Sequence, residues 1–183
     1  MNGYVIPEYT TGAEIKAVRQ SLGMTQKQFA LFCSCSKPTV ERWESQKEDK
    51  KITGPIVSLL EVLKRQKNLP VDFEIPHKSF KLRLYYMHND TVCSIIDVDE
   101  FNRIIKLYNY MNQPMFRAFG NNINPSFEDY EEFLESRCFP RTRDKLKLEL
   151  NRLGIPFYDP ILIIEKTEGR MADDDFWVKI ERV

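Results

Sequence analysis

The sequence predicts two domains, an all-α helix bundle of four to five short helices and, after it, an α+β domain with an antiparallel strand meander and about three helices. Two periodicities and one break carry that reading. From Ala13 to Gln66 the apolar residues recur at helical spacing, whereas from Phe80 to Tyr110 they recur in strand-like runs rich in Val, Ile and Tyr. Between the two, KNLPVDFEIPHKS holds two prolines and no period, as a linker does. The expected boundaries are therefore 1–68, 69–79 and 80–183.

In the first domain Thr11 caps a helix that turns Ile15, Val18 and Leu22 to one side and stops at Gly23. Thr25, followed three residues later by Gln28, forms a capping box that opens a second helix running to about Phe32. The polar turn Cys33-Ser34-Cys35 leads to Ser36, and Pro38 sits just inside a third helix, Lys37 to about Ser45. Gly54-Pro55 opens a fourth, Ile56 to Lys67, with Ile56, Leu59, Leu60 and Leu63 on its apolar face.

The stretch IKAVRQSLGMTQKQFALFCSCSKPTVERWESQ resembles the phage-repressor (Xre) class of helix-turn-helix proteins. Leu22-Gly23, Thr25-Gln26, Phe29-Ala30, Ser36, Thr39-Val40 and Trp43-Glu44 fall in the order and spacing of that class, and ITGPIVSLLEVLKR resembles its closing helix. The turn departs from the pattern, because Cys33-Ser34-Cys35 stands where a glycine of positive φ is usual. The resemblance implies a DNA-binding transcriptional regulator acting on a double-stranded operator.

Physical reasoning reaches the same place. One face of the third helix must pack on the second while the other enters a major groove just wide enough for a helix. Val40 and Trp43 supply the buried face, leaving Lys37, Pro38, Thr39, Glu41 and Arg42 outward. Arg42 is the best candidate base reader, able to reach guanine O6 and N7. Gln26, by the logic of the resembling class, donates to a phosphate, and Lys27 adds charge beside it. Ser36, Lys37, Pro38, Thr39 and, from the following loop, Lys50 and Lys51 complete the expected contact set.

In the second domain FKLRLYYM, TVCSIIDVD and RIIKLYNY read as three strands with turns at Asn89-Asp90 and near Phe101-Asn102. Ser126 caps a helix carrying Phe127, Tyr130, Phe133 and Leu134; Thr142 caps another through Leu146, Leu150 and Leu153, ended by Gly154. Asp159-Pro160 opens a third, stopped by Gly169, and FWVKI closes the chain as a strand. Arg137, Arg141, Arg143 and Lys145, around a proline turn and a helix start, are candidate anion or partner contacts, the basis of an alternative reading as a ligand-sensing regulator that binds a small anion or nucleotide. The order of YYMHNDTVCSIIDVDE, EDYEEFLESRCFPRTR and DDDFWVKI resembles the N-terminal, non-catalytic portion of HipA-type toxin kinases. That implies an antitoxin-like, autoregulating repressor with a HipA-type kinase partner, assembled as a homodimer or hetero-oligomer.

Composition narrows the remaining classes. At 42% hydrophobic residues the chain is too apolar for a disordered polymer, yet no run reaches the length of a spanning helix. Residues 1–68 hold eleven Lys and Arg against seven Asp and Glu; with 27 of each sign overall, the rest carries the compensating acidity. Cys33, Cys35, Cys93 and Cys138 form no C-x-x-C pair and the two histidines lie far from Cys33 and Cys35, so no metal or other cofactor is expected. Phosphate-binding, nucleophile-elbow and zinc-protease motifs are missing, which predicts a non-enzyme. The first residues lack the basic and apolar stretches of a secretory signal, so a cytoplasmic protein is expected, nucleoid-associated when on DNA.

Overall fold

A computed structural model describes residues 5–47 and 50–182. The chain divides into two compact units, one ending at Ile75 and one beginning at Pro76. Seven α-helices and a four-stranded antiparallel sheet make up the regular structure of the described residues.

The first unit contains α1 (Gly12–Ser21), α2 (Gln26–Phe32), α3 (Lys37–Glu44) and α4 (Pro55–Arg65), followed by a 3-10 turn at Val71–Phe73. Thr11 caps α1 in a full capping box with Glu14, and Thr25 caps α2 with Gln28 in the same way. Ser36 caps α3 and Pro38 occupies its first turn. The helices close on a core of Ile15, Phe29, Val40, Leu60 and Leu63. A two-way backbone bridge between Thr10 and Ile52, both bonds 2.8 Å, ties the segment before α1 to the one before α4. Three details differ from expectation. The fourth helix ends at Arg65 rather than Lys67, and its buried face uses Val57 where Leu59 was expected, Leu59 lying partly exposed. Trp43 is only partly buried, packed against the edge of the core.

The same C-terminal device ends α1 and α2. In α1 the amide of Gly23 donates to Gln20 and that of Met24 to Arg19; in α2 Ser34 donates to Leu31 and Cys35 to Ala30. Both motifs require a left-handed residue, supplied by Gly23 (φ 68°) in the first and by Ser34 (φ 52°) in the second. The turn thus keeps the usual geometry without the usual glycine, at a steric cost of about 1 kcal/mol for a residue with a Cβ. Ser34→Gly is accordingly expected to stabilise the first unit by about 0.5 kcal/mol, after the added chain entropy of glycine is offset. Urea melts of the two proteins check this, and a destabilised glycine variant would contradict it.

The second unit contains β1 (Leu82–His88), β2 (Thr91–Asp99), β3 (Ile104–Asn109), α5 (Phe127–Ser136), α6 (Leu146–Leu153), α7 (Pro160–Thr167) and β4 (Phe176–Arg182). Strand order is β3-β2-β1-β4, all neighbours antiparallel, with Asn89 (φ 50°) in the tight β1–β2 turn. Alternate residues Leu82, Leu84 and Tyr86 of β1, with Ile96, Val98 and Val178, face a core completed by Tyr130, Phe133 and Leu134 of α5, Leu150 of α6 and Ile161, Ile163 and Ile164 of α7. Ser126 and Asp159 cap α5 and α7 as expected. Thr142 does not cap the sixth helix: the amide of Arg143 turns back to Pro140, and Lys145 takes a left-handed conformation (φ 62°), so helical geometry starts only at Leu146. Gly154 ends that helix as predicted.

On the opposite face of the sheet Arg83 and Asp97 stand directly across β1 and β2, both buried at 3% and 0% exposure. Pro76–Ser79 lies over that face as a strap. Arg83 Nη1 donates to the Pro76 carbonyl at 2.9 Å, the Ser79 amide to Asp97 Oδ2 at 2.7 Å, and Lys78 Nζ to the Glu181 carbonyl on β4 at 2.9 Å. The residues expected as a linker are thus divided, Leu69 packing on the first core and Pro76–Ser79 belonging to the second unit.

Candidate nucleic-acid interface

Val40, fully buried, fixes which side of α3 faces inward, and the helix then presents Lys37, Pro38, Glu41 and Arg42 to solvent. Ser36 and Thr39 are taken up in the cap: the Thr39 amide donates to Ser36 Oγ at 3.3 Å and the two hydroxyls lie 2.9 Å apart. Lys37 Nζ meets Glu41 Oε1 at 2.8 Å, an ion pair one helical turn apart. The guanidinium of Arg42 has no partner among the described residues, so it is available for an external acceptor. Lys27 and Lys50 are exposed, and Lys51 Nζ rests 4.3 Å from the centroid of the Tyr9 ring.

The attitude of α3 is set by contacts that sequence patterning did not reveal. Arg19 of α1 grips Glu44 at the end of α3 with two hydrogen bonds, Nε to Oε1 at 2.6 Å and Nη2 to Oε2 at 3.0 Å, and its Nη1 donates to the Met24 carbonyl at 2.8 Å. Gln26, at the start of α2, donates to the same Glu44 Oε2 at 2.9 Å. Gln26, expected on a phosphate, thus uses one of its two amide N–H groups within the motif. Burial pushes the Glu44 carboxyl up, but the Arg19 and Gln26 hydrogen bonds outweigh it and hold the group below its ordinary value. Arg19 is raised in turn, first by its bond to Glu44. Arg19 and Glu44 are 25 residues apart, and neither the helical period nor the local charge pattern links them. Backbone makes a second joint: a Cβ on Gly12 would fall 2.1 Å from the Trp43 carbonyl oxygen, so α1 and α3 meet where only glycine fits.

Residues 15–61 match the helix-turn-helix family. This helix-turn-helix domain spans roughly a quarter of the chain, from Ile15 in α1 to Glu61 in α4, and includes all of α2, the turn and α3. It supports the Xre-type resemblance and a DNA-binding transcription regulator. No curated protein and no solved structure matches the chain. No helix among the described residues is long and apolar enough to cross a membrane.

The basic residues of the second unit are engaged separately. Arg137 is buried, its Nε donating to the Gly169 carbonyl and its Nη atoms to Asp174 and the Phe176 carbonyl at 2.6 to 3.0 Å. Its position is that of a structural anchor between α5 and the start of β4, with its charge balanced by Asp174, rather than that of an anion contact. Arg141 pairs with Glu135 at 2.7 Å and lies over the Tyr158 ring, Arg143 lies over Phe139, and Lys145 is exposed at the foot of α6. Burial pushes the Cys33 and Cys138 thiols up to about 12, which leaves them protonated and unreactive at neutral pH.

Proposed function

We propose that this chain is a sequence-specific, non-catalytic transcriptional repressor that lays α3 in the major groove of its operator, while the second unit supplies assembly or partner contacts. The observation that carries this reading is the two-sidedness of α3, with Val40 wholly inside and Lys37, Glu41 and Arg42 outside on a helix clamped at Gly12 and Glu44. Two copies presenting α3 about 34 Å apart would engage two half-sites one helical turn from each other. Arg42→Ala is expected to weaken binding to the DNA upstream of its own gene by about 1 to 3 kcal/mol and to leave the salt dependence nearly unchanged, as loss of a base contact rather than a phosphate contact does. Gel shifts over a salt series measure both, and an unchanged affinity sinks the role given to Arg42.

Support for the finer antitoxin-like reading is the order of the β1–β2 hairpin, α5 and closing β4, the elements that resemble the non-catalytic portion of HipA-type kinases. In that reading the second unit engages such a kinase, and co-purification of the two from one expression host tests it.

A further inference from the structure

Lys37 and Glu41 pair at 2.8 Å on the outward face of α3, with side chains 53% and 45% exposed. Such a pair adds only a few tenths of a kcal/mol to a helix. A carboxylate on a surface that approaches phosphates also lowers affinity. The pair does place a donor beside an acceptor at hydrogen-bond spacing, and a base pair displays the complementary arrangement in the major groove. Guanine O6 and cytosine N4 are partners in one hydrogen bond, about 2.9 Å apart, and guanine N7 adds a second acceptor on the lysine side.

We propose that Lys37 and Glu41 act as one unit reading a single G·C pair, with Lys37 Nζ donating to guanine O6 and N7 and the Glu41 carboxylate accepting from cytosine N4. This rests on the DNA-binding reading above. An A·T pair also sets a donor, adenine N6, beside an acceptor, thymine O4, but with the wrong neighbours. The carboxylate would then face adenine N7, another acceptor, and the ammonium would be crowded by the thymine methyl. Glu41 therefore discriminates while lowering general affinity, and Lys37 keeps its partner on or off DNA.

The test is selection from a random duplex library with the full chain, comparing wild type with Glu41→Ala, Glu41→Gln and Lys37→Ala; both sites are exposed, so folding is preserved and is checked by circular dichroism. Wild type is expected to enrich a motif with one G·C position that Glu41→Ala and Lys37→Ala each relax roughly tenfold or more while other positions stay fixed. Glu41→Gln should move that position toward A·T, since a carboxamide pairs with adenine N6 and N7. Glu41→Ala should also bind non-specific duplex more tightly. Identical motifs for wild type and Glu41→Ala, or effects of Lys37 and Glu41 at different positions, overturn the proposal. A wild-type protein that binds duplex DNA and enriches no motif overturns it together with sequence-specific reading, and one that does not bind duplex at all removes the DNA-binding reading itself.

Discussion

Asp97→Ala is expected to cost the second unit about 3 to 5 kcal/mol, because it leaves the buried Arg83 guanidinium without its counter-charge. Arg83 would retain the Pro76 carbonyl and lose both bonds to Asp97, while the Ser79 amide would lose its acceptor as well. Paired replacement by apolar residues of similar volume, Arg83→Met with Asp97→Leu, should recover much of the loss, since no ion is then left buried. Each unit contains one tryptophan, so urea melts followed through Trp177 in a Trp43→Phe background report the second unit alone. A loss below about 1 kcal/mol would show that the pair is solvated, contrary to its burial. The pH dependence has a defined sign. Burial raises the Asp97 carboxyl, but the Arg83 bonds and the Ser79 amide outweigh it and hold the group below 3.8. The ion pair's contribution is full above that value and is lost as pH falls through the depressed one, so acid should destabilise wild type more steeply than Asp97→Ala.

Glu44→Ala is expected to destabilise the helix-turn-helix domain by about 3 kcal/mol, read through Trp43 in a Trp177→Phe background. The substitution strands Arg19, 12% exposed, and frees Gln26, so α1, the start of α2 and the end of α3 lose their common acceptor at once. Glu44→Gln should recover part of this by keeping an acceptor without the charge. Operator affinity should fall for Glu44→Ala by more than the folded fraction explains, because α3 loses one of its two joints. If affinity instead tracks the folded fraction alone, the clamp contributes to stability and not to the attitude of α3.

Legibility in the sequence followed the range of the interaction. The caps at Thr11, Thr25, Ser36, Ser126 and Asp159 are satisfied within three residues, and all five were readable from residue type alone. The hairpin at Asn89-Asp90 and the outward face of α3 were likewise visible, because period and turn chemistry are local. Thr142 misled because it carries the right side chain for a cap, while the turn at Pro140 and the left-handed Lys145 place the helix start three residues later. The strand period of FKLRLYYM carries no mark of the burial of Arg83. Its burial depends on Asp97, across the hairpin in β2, and on a strap that the prolines made look like free linker. Arg137 was assigned to an external ligand for the same reason: a charge near a helix end advertises availability, and only the fold shows that Asp174 has already claimed it.

The joint at Gly12 separates two kinds of heritable change. With the Trp43 carbonyl seated where position 12 would carry its first side-chain carbon, the pitch of α3 is dictated at a dry contact about two turns of helix away from Lys37. In the proposed DNA-binding mode, variation at 37, 41 and 42 would rewrite which operators are preferred while the scaffold stays as it is, whereas drift at position 12 would tilt the whole reading head and scramble every preference together.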